Sequence, residues 1–454
     1  MPGLTPDTGV VERVQAADRE DVAEPDGAEP DGRASAVAEQ ARRAPSAWLA
    51  MLDRPLTSYY LLLGITTLLL ALGLVMVLST SSAYNLMQGA SPWSGLQHQL
   101  FGVLVGLPCM WLAARCSPRR FRAAAYPLMF IALLGLVVVL FVTQPPGNGG
   151  AARWIQVSGI QFQPSELAKF AFLLWGADLL ARKDKLGQLE DWRQLLIPLL
   201  PGVGILAMLV MLGDDLGTTF VLLVIFLALL WIIGTPGRVF LGVLAAIGLA
   251  LLIMIVVAPY RLKRLTGYLG PAGSPVGPNQ QSIQGKWAVG SGGWFGVGLG
   301  ASREKWGWVP ESTTDFIFAI LGEELGLIGT LCVTFLYGGL AYAGLRIARR
   351  VQDTFMRLAA GAATAWIVGQ ALVNICAVIG LLPITGVPLP LVSEGLSSLL
   401  VTMVALGMLM SFAKREPGAS QALTEAGPAA GPRVLSWLGL ARRRKTPAGP
   451  GRRQ

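Results

Sequence analysis

Residues 306–326 read Trp-Gly-Trp-Val-Pro-Glu-Ser-Thr-Thr-Asp-Phe-Ile-Phe-Ala-Ile-Leu-Gly-Glu-Glu-Leu-Gly, a polar and aromatic loop that runs directly into an apolar helix. Asp315 stands where the loop and the helix meet. A carboxylate at the end of a membrane segment is costly, because hydrocarbon cannot solvate it, so such residues are functional candidates. The stretch therefore indicates a membrane-spanning helix with an acidic functional residue at its mouth.

The composition around this stretch is that of a membrane protein. The chain has 454 residues, of which 53% are hydrophobic and only 14% charged, which excludes an ordinary soluble domain. The net charge of +9 is distributed in short groups of Lys and Arg between apolar runs, which indicates topology and not nucleic-acid binding. The four cysteines and His98 lack the spacing of a zinc site, a haem motif or a disulfide framework.

Apolar runs of about the length that crosses a bilayer occupy most of the chain, and they predict an all-α polytopic membrane protein with ten transmembrane helices. Residues 1–57 and 414–454 lack this pattern and are expected to be disordered cytoplasmic tails, the second of them basic. The predicted spans are 58–80, 95–115, 123–143, 164–181, 194–212, 216–234, 238–258, 314–345, 355–381 and 392–413.

The distribution of Lys and Arg predicts the orientation of these spans. Groups of Arg and Lys follow the second, fourth and eighth spans, so those turns and both termini are expected in the cytoplasm. The long segment 259–313 then faces outward. It carries cations of its own, among them Lys305, which suggests an anionic headgroup or substrate as its partner.

Asp315 has two alternative roles on spacing alone. The order Ser312-Thr-Thr-Asp315 fits a capping box, so a helix that begins near Ser312 would place the carboxylate in its first turn. In the second interpretation, Asp315 acts chemically at the outer face. Glu323 follows eight residues later, on the same helix face and about 12 Å deeper, which predicts a polar cavity.

A second group of polar residues lies in the stretch from Arg153 to Lys169. Pro164 suits the first turn of a helix, and Glu166 and Lys169, three residues apart, share one face within pairing distance. Two interpretations remain open. The two charges form a structural ion pair, or Lys169 is directed at a phosphate with Arg153 in the loop above it.

A third group surrounds the Pro- and Gly-rich segment 382–398, which predicts irregular backbone at membrane depth that lines a cavity or is buried in protein. Ser393, Ser397 and, on the preceding span, Asn374 supply hydrogen-bonding groups there. Each of them serves either a substrate or an interhelical hydrogen bond.

The turn at Asp214 and Asp215 fits a cation site or a helix cap equally well. The glycine-rich stretch 290–300 lacks the strand of a dinucleotide fingerprint and is expected to be a flexible interfacial loop.

These strings together resemble the SEDS family, the membrane proteins of bacterial shape, elongation, division and sporulation, over roughly residues 58–413. The division members are the most similar, with the elongation members as the close alternative. The matching strings are Arg153-Trp-Ile with Gln163-Pro-Ser-Glu-Leu-Ala-Lys169, Asp215-Leu-Gly-Thr218, Pro310-Glu-x-x-Thr-Asp-Phe-Ile-Phe-Ala319 with Glu323-Glu-Leu-Gly326, and Thr385-Gly-Val-Pro-Leu-Pro390.

The resemblance implies a peptidoglycan glycosyltransferase in the plasma membrane at the division septum, which polymerises lipid II and works with a class B penicillin-binding protein and other divisome membrane proteins. Asp315 would be the catalytic residue, and a divalent cation, Mg²⁺ or Mn²⁺, is compatible with the chemistry. Nucleic acid is not an expected partner. The substrate-binding residues would be Arg153, Glu166, Lys169, Lys305, Glu323, Asn374, Ser393 and Ser397.

The chain departs from the family pattern at four positions: Asp214, Thr313, Glu394 and Leu396. The family commonly has histidine at the position of Thr313 and proline at that of Asp214. Two other functions remain open beside the enzyme. Intramembrane charges and broken helices would also serve a lipid II flippase, and a catalytically silent scaffold of the division machinery would need neither.

Overall fold

The computed structural model describes residues 56–142, 153–157, 160–188, 191–257 and 280–419. Nearly all of the expected N-terminal tail lies outside the described residues, as do 420–454 of the C-terminal tail and 258–279 of the long outward segment. Residues 414–419 continue the folded part beyond the predicted boundary at 413, since Glu416 and Ala419 are buried there.

Eleven helices and one hairpin make up the described part of the chain. The strands are β1, Ile155–Val157, and β2, Ile160–Phe162, which pair in antiparallel register. The helices are α1 Thr57–Met87, α2 Ser94–Arg115, α3 Pro118–Val142, α4 Pro164–Lys185, α5 Trp192–Leu212, α6 Leu216–Ile233, α7 Gly237–Val257, α8 Gln280–Ser291, α9 Ile317–Arg350, α10 Thr354–Val378 and α11 Leu396–Ala413.

Every predicted span coincides with one of these helices, and α8 is an additional helix inside the predicted outward segment. Eight of them are long and apolar enough to cross a membrane, so the helical multi-pass architecture is confirmed. The other two predicted spans are not among these eight. The helix α4 carries Glu166, Lys169 and Asp178, and the apolar part of α7, Gly237–Ile253, is shorter.

The start of α9 differs from the prediction. The helix begins at Ile317, its N-cap is Phe316, and no side chain caps it. The predicted capping box of Ser312 and Asp315 is therefore wrong, because the carbonyls of residues 313–315 are bonded to other segments and do not begin a helix. Asp315 lies in the loop, so it shares no helix face with Glu323.

A break divides α9 at Gly326, where the backbone has φ 68° and ψ −164°. The 34 residues of α9 would extend about 51 Å if they were straight, which exceeds the hydrocarbon thickness of about 30 Å. The glycine-rich segment 292–298 fills the break: Val297 N donates to Glu323 O at 2.9 Å, and Leu327 N donates to Gly293 O at 2.9 Å. The expectation of a flexible loop is thus wrong for this segment, which is bonded to α9 backbone to backbone.

The helices α10 and α11 lie at the centre of the bundle. Their most apolar 18-residue stretches are 72% and 78% buried, whereas those of α2 and α3 are 33% and 28% buried. The first turns of α4, α6, α9 and α11 and the end of α10 meet at one end of this bundle through the contacts given below. We call this end the site end.

Candidate functional site

Asp315 is half-buried at the site end, directly before α9. Its backbone carbonyl accepts a hydrogen bond from Asn374 Nδ2 at 2.7 Å. Gly386, in the loop 379–395 between α10 and α11, has φ +69°, and a Cβ atom on it would lie 3.4 Å from Asp315 Oδ2. The carboxylate of Asp315 therefore lies close to a position of this loop that has no side chain.

The loop 379–395 also holds the two residues before Asp315. Ser393 Oγ donates to Thr314 O at 2.6 Å and accepts from Leu389 N at 2.8 Å. Glu394 N donates to Thr313 O at 3.0 Å. Ser393 and Asn374 thus lie close to Asp315, and both side chains bond the backbone of the loop that contains it.

Ser397, Arg153 and Asp215 lie where the hairpin meets the bundle. Ser397 Oγ, in the first turn of α11, donates to Gln161 O at 3.2 Å, while Arg153 Nη2 donates to the carbonyl of Asp214. Asp215 caps α6, since its carboxylate accepts from Thr218 N at 3.0 Å and from Thr218 Oγ1 at 2.7 Å. Helix capping is therefore the role that the structure shows for Asp215.

Glu166 and Lys169 form the ion pair that their spacing allowed. Lys169 Nζ lies 2.8 Å from Glu166 Oε1 and 3.0 Å from Gln370 Oε1, and both charged side chains are at most 2% exposed. Gln370 Nε2 in turn donates to Pro388 O at 2.9 Å. The pair supports the loop 379–395 from within the bundle, and a phosphate-binding role for Lys169 remains a prediction.

Glu323 and Lys305 lie at the break of α9, apart from the loop of Asp315. Glu323 accepts from Ser302 Oγ at 2.5 Å and from Arg303 N at 2.9 Å. Lys305 Nζ bonds Glu324 Oε1 and Ser79 Oγ, both at 3.0 Å. These contacts hold the segment 299–306 on α9. A cavity of about 350 Å³ lies between this segment and α1, lined by side chains that include Val75, Ser79, Lys305 and Trp306.

Glu394 is a second acidic group close to Asp315, in the loop and outside the helices. Burial raises the pKa of its carboxyl above the usual 4.5, and a hydrogen bond with Thr313 and the charge of His98 oppose that rise. Glu311 adds repulsion and raises the pKa further. Two of the four departures from the family pattern, Thr313 and Glu394, are therefore in direct contact.

Two residues outside the predicted set of site residues also belong to this region. Gln99, on α2, is 2% exposed, and its Nε2 donates to Ser393 O at 3.2 Å. Lys286, on α8, reaches Gly380, where a Cβ atom would lie 2.2 Å from its Cε atom. A polar glutamine inside an apolar run was the available signal for Gln99, whereas Lys286 is one of the cations of the outward segment 259–313 that suggested an anionic partner.

A divalent cation is compatible with the sequence, and it would need ligating side chains close together. Within the described residues, no group of three or more His, Cys, Asp and Glu side chains could hold a metal ion. The described residues therefore offer no all-protein metal site, and no chemical step is assigned to such an ion.

The chain is similar to known proteins over almost the same region as the folded part. Residues 59–417 match the model of the FtsW/RodA/SpoVE family, described as cell cycle proteins. The chain is 42% identical over 378 residues to the probable peptidoglycan glycosyltransferase FtsW of Mycobacterium tuberculosis, covering 82% of this chain and 71% of that protein. It is 36% identical to the stage V sporulation protein E of Bacillus subtilis over 356 residues, which cover 78% of this chain and 96% of the relative.

Two solved structures share the fold. A chain of a peptidoglycan synthase complex, studied for the coordination of polymerization and crosslinking, aligns with a TM-score of 0.63 at 28% identity, covering 78% of this chain and 96% of that one. The rod shape determining protein RodA of Thermus thermophilus aligns with a TM-score of 0.56 at 27% identity, again over 78% of this chain and 96% of the other. Both similarities extend across the described bundle.

Proposed function

The chain belongs to the FtsW/RodA/SpoVE family of cell cycle proteins, known as SEDS proteins, and we propose that it is a peptidoglycan glycosyltransferase of the FtsW type. The observation that carries the chemistry is the placement of Asp315. Its carboxylate lies half-buried against Gly386 at the mouth of the bundle, and its backbone is bonded to Asn374. A positioned carboxylate of this kind is suited to accept a proton.

We propose lipid II as both donor and acceptor. The 4-hydroxyl of the acceptor N-acetylglucosamine attacks the anomeric carbon of the lipid-linked N-acetylmuramic acid, and its proton passes to the Asp315 carboxylate. The bond from the anomeric carbon to the pyrophosphate oxygen breaks, the anomeric centre inverts, and undecaprenyl pyrophosphate leaves with the electron pair. A carboxylate placed at the attacking oxygen lowers the barrier because the hydroxyl loses its proton as the new bond forms.

The leaving pyrophosphate gains negative charge, so cations near the site lower the barrier further. Arg153 lies beside the turn of Asp214, where Gly217 is so close to the loop 379–395 that a Cβ atom on it would lie 2.4 Å from Thr385 O. On the other side, α8 packs on Phe316 at Gly285 and carries the exposed Lys286. We assign the stabilisation of the leaving group first to Arg153 and Lys286. A role of Lys169 requires that it leave its buried ion pair with Glu166.

The wider setting is part of the proposal. All ten predicted spans cross the plasma membrane, both termini are cytoplasmic, and the site end faces outward, where the sugars of lipid II are joined. A class B penicillin-binding protein cross-links the product, and the protein acts at the division septum with other divisome membrane proteins. The similarity to a chain of a peptidoglycan synthase complex supports the transpeptidase partner.

The test is lipid II polymerisation by the purified full-length protein together with its partner transpeptidase, with glycan strands separated by size. We expect strand formation by the wild type and a loss of at least about 100-fold in Asp315→Asn, which keeps the shape of the side chain and removes the base. Asp353→Asn is a matched control, since Asp353 caps α10 through Met356 N at 3.1 Å and is not part of the site.

Full activity in Asp315→Asn would remove the assignment of the base. If the wild type formed no strands and instead moved lipid II across liposome membranes, the protein would be a transporter and not a glycosyltransferase.

A further inference from the structure

Three consecutive backbone carbonyls, those of residues 313–315, each accept a hydrogen bond from a different donor. Glu394 N, Ser393 Oγ and Asn374 Nδ2 supply them, at 3.0, 2.6 and 2.7 Å respectively. The segment that ends at Asp315 is therefore held along its length by one loop and by one side chain of α10.

The two side chains among these donors are themselves fixed. Ser393 Oγ also accepts from Leu389 N at 2.8 Å, and Asn374 Nδ2 also donates to Val387 O at 2.7 Å. Ser393 is 5% and Asn374 2% exposed. Because hydrogen bonds strengthen where water is excluded, such a network is rigid once its donors are engaged. Each donor thus already has a backbone acceptor and is shielded from solvent.

Gln99 also holds this loop. It is 2% exposed on α2; its Nε2 donates to Ser393 O at 3.2 Å, and its Oε1 accepts from Gly395 N at 3.4 Å. A neutral amide that bonds the backbone on both sides of Glu394 fixes where Ser393 and Glu394 stand. Gln99 therefore acts on the Asp315 segment through the loop, without touching it.

The segment needs such support because it has no regular structure of its own. Residues 311–316 form turns, and Glu311 has a φ of 56°. A catalytic group has to be held within about 0.5 Å of its productive position, and a displacement of about 1 Å can cost about 100-fold in rate. We propose that Gln99, Ser393 and Asn374 form a positioning set that fixes the backbone at Asp315 and does not contact the sugar substrate. This proposal rests on the proposed function.

The experiment separates positioning from substrate contact by steady-state polymerisation kinetics of the full-length protein with its transpeptidase. For Ser393→Ala and for Gln99→Glu, which replaces the Nε2 donor by an acceptor, we expect kcat to fall about 10- to 100-fold. The KM for lipid II should stay within about 2-fold of the wild-type value, since these variants remove no contact with the substrate. Ser393→Thr, which keeps the hydroxyl, should have a kcat much closer to the wild-type value than that of Ser393→Ala.

A matched control has the same type of bond far from the site. Ser411 Oγ on α11 donates to Cys116 O at 2.6 Å and is 3% exposed, so Ser411→Ala removes one buried serine-to-carbonyl bond at the other end of the helix. We expect it to keep the wild-type kcat.

A second measurement covers variants that fold poorly. Hydrogen–deuterium exchange of the peptide 311–318 should become faster in Ser393→Ala and stay unchanged in Ser411→Ala.

A raised KM with an unchanged kcat would show that these side chains bind substrate and would overturn the proposal. Wild-type kinetics in both Ser393→Ala and Gln99→Glu, or unchanged exchange in 311–318, would overturn it as well. A wild-type protein that forms no strands refutes the glycosyltransferase itself. A polymerising wild type whose variants change only KM refutes the positioning set alone.

Discussion

Asp315 is placed against glycine for a steric reason that can be tested. Gly386 has φ +69°, and a Cβ atom on it would lie 3.4 Å from Asp315 Oδ2. The left-handed conformation costs an L-residue about 1–2 kcal/mol. Gly386→Ala should therefore lower stability slightly and reduce polymerisation about 10-fold or more, because the added methyl group lies in van der Waals contact with the carboxylate and takes up space beside it. The assay is the polymerisation rate per folded protein.

Gly418→Ala is the control for backbone strain alone. Gly418 has φ +81°, and a Cβ atom on it would have no neighbour within 4 Å. This variant should lose a similar amount of stability and keep its activity. Equal rates in the two variants would show that the space beside Asp315 is not used.

Glu394 introduces a pH dependence of stability with a definite sign. Because burial raises the pKa of its carboxyl, the folded protein binds this proton more tightly than the unfolded chain does. The corresponding stability is present below the usual pKa of 4.5 and is lost as the pH rises through the higher pKa of the folded state. The thermal unfolding temperature of Glu394→Gln, measured in detergent from pH 4.5 upward, should therefore fall less with pH than that of the wild type.

Glu311→Gln serves as the comparison, since Glu311 is an exposed carboxylate in the neighbouring loop. It removes a repulsion on Glu394 and keeps a side-chain oxygen that can accept the hydrogen bond from Thr314 Oγ1, so most of the wild-type pH dependence should remain. Identical curves for Glu394→Gln and the wild type would refute the assignment of this dependence to Glu394.

The sequence predicted several residues of the site, but it did not predict the contacts that these residues make. Asp315, Asn374 and Ser393 stand out as polar residues beside apolar spans, and the structure brings them together. That Ser393 and Asn374 bond the backbone of the Asp315 loop depends on how two distant segments meet, which no local pattern encodes. Gln99 was missed for the same reason, because its partners lie almost 300 residues away.

At the scale of elements, the break of α9 depends on one glycine. A Cβ atom on Gly326 would lie 2.3 Å from Gly296 N and 2.7 Å from Trp294 O, and its φ and ψ are accessible almost only to glycine. Gly326→Ala should therefore separate the segment 292–298 from α9 and lower the thermal unfolding temperature strongly. Strain of this kind costs about 1–3 kcal/mol before any clash is counted.

Gly338 provides the matched control on the same helix. A Cβ atom there would have no neighbour within 4 Å, so Gly338→Ala should be neutral or slightly stabilising, as alanine usually is in a helix. A Gly326→Ala protein as stable as Gly338→Ala would mean that α9 can run straight through residue 326.

The helices themselves were predictable because apolar runs of bilayer length have few alternatives to a helix. All ten predicted runs are helical, with ends that differ by a few residues. The start and the break of α9 were not predictable in this way. Both are set by hydrogen bonds to other segments. These bonds engage the carbonyls of residues 313–315 at the start, and the carbonyls of residues 323 and 324 and the N–H groups of residues 327 and 328 at the break.

At the scale of the whole molecule, the order of the helices and the distribution of charge together predict which end faces outward. The turns α2–α3, α4–α5 and α9–α10 all lie at the end opposite Asp315 if every predicted span crosses the membrane. Cations are concentrated there, including Arg119, Arg182, Lys183 and Arg349. Since Lys and Arg in short loops are retained in the cytoplasm, the site end should be outside.

Thiol labelling of intact cells tests this orientation. In a variant without its four native cysteines, Arg303→Cys adds a thiol at an exposed position between α8 and α9, and Arg119→Cys adds one at an exposed position in the first turn of α3. A membrane-impermeant maleimide should label Arg303→Cys in intact cells and Arg119→Cys only after permeabilisation, because only the first thiol faces outward. The reverse pattern would place Asp315 in the cytoplasm, where sugar chains of the wall are not assembled, and both the orientation and the proposed chemistry would be refuted.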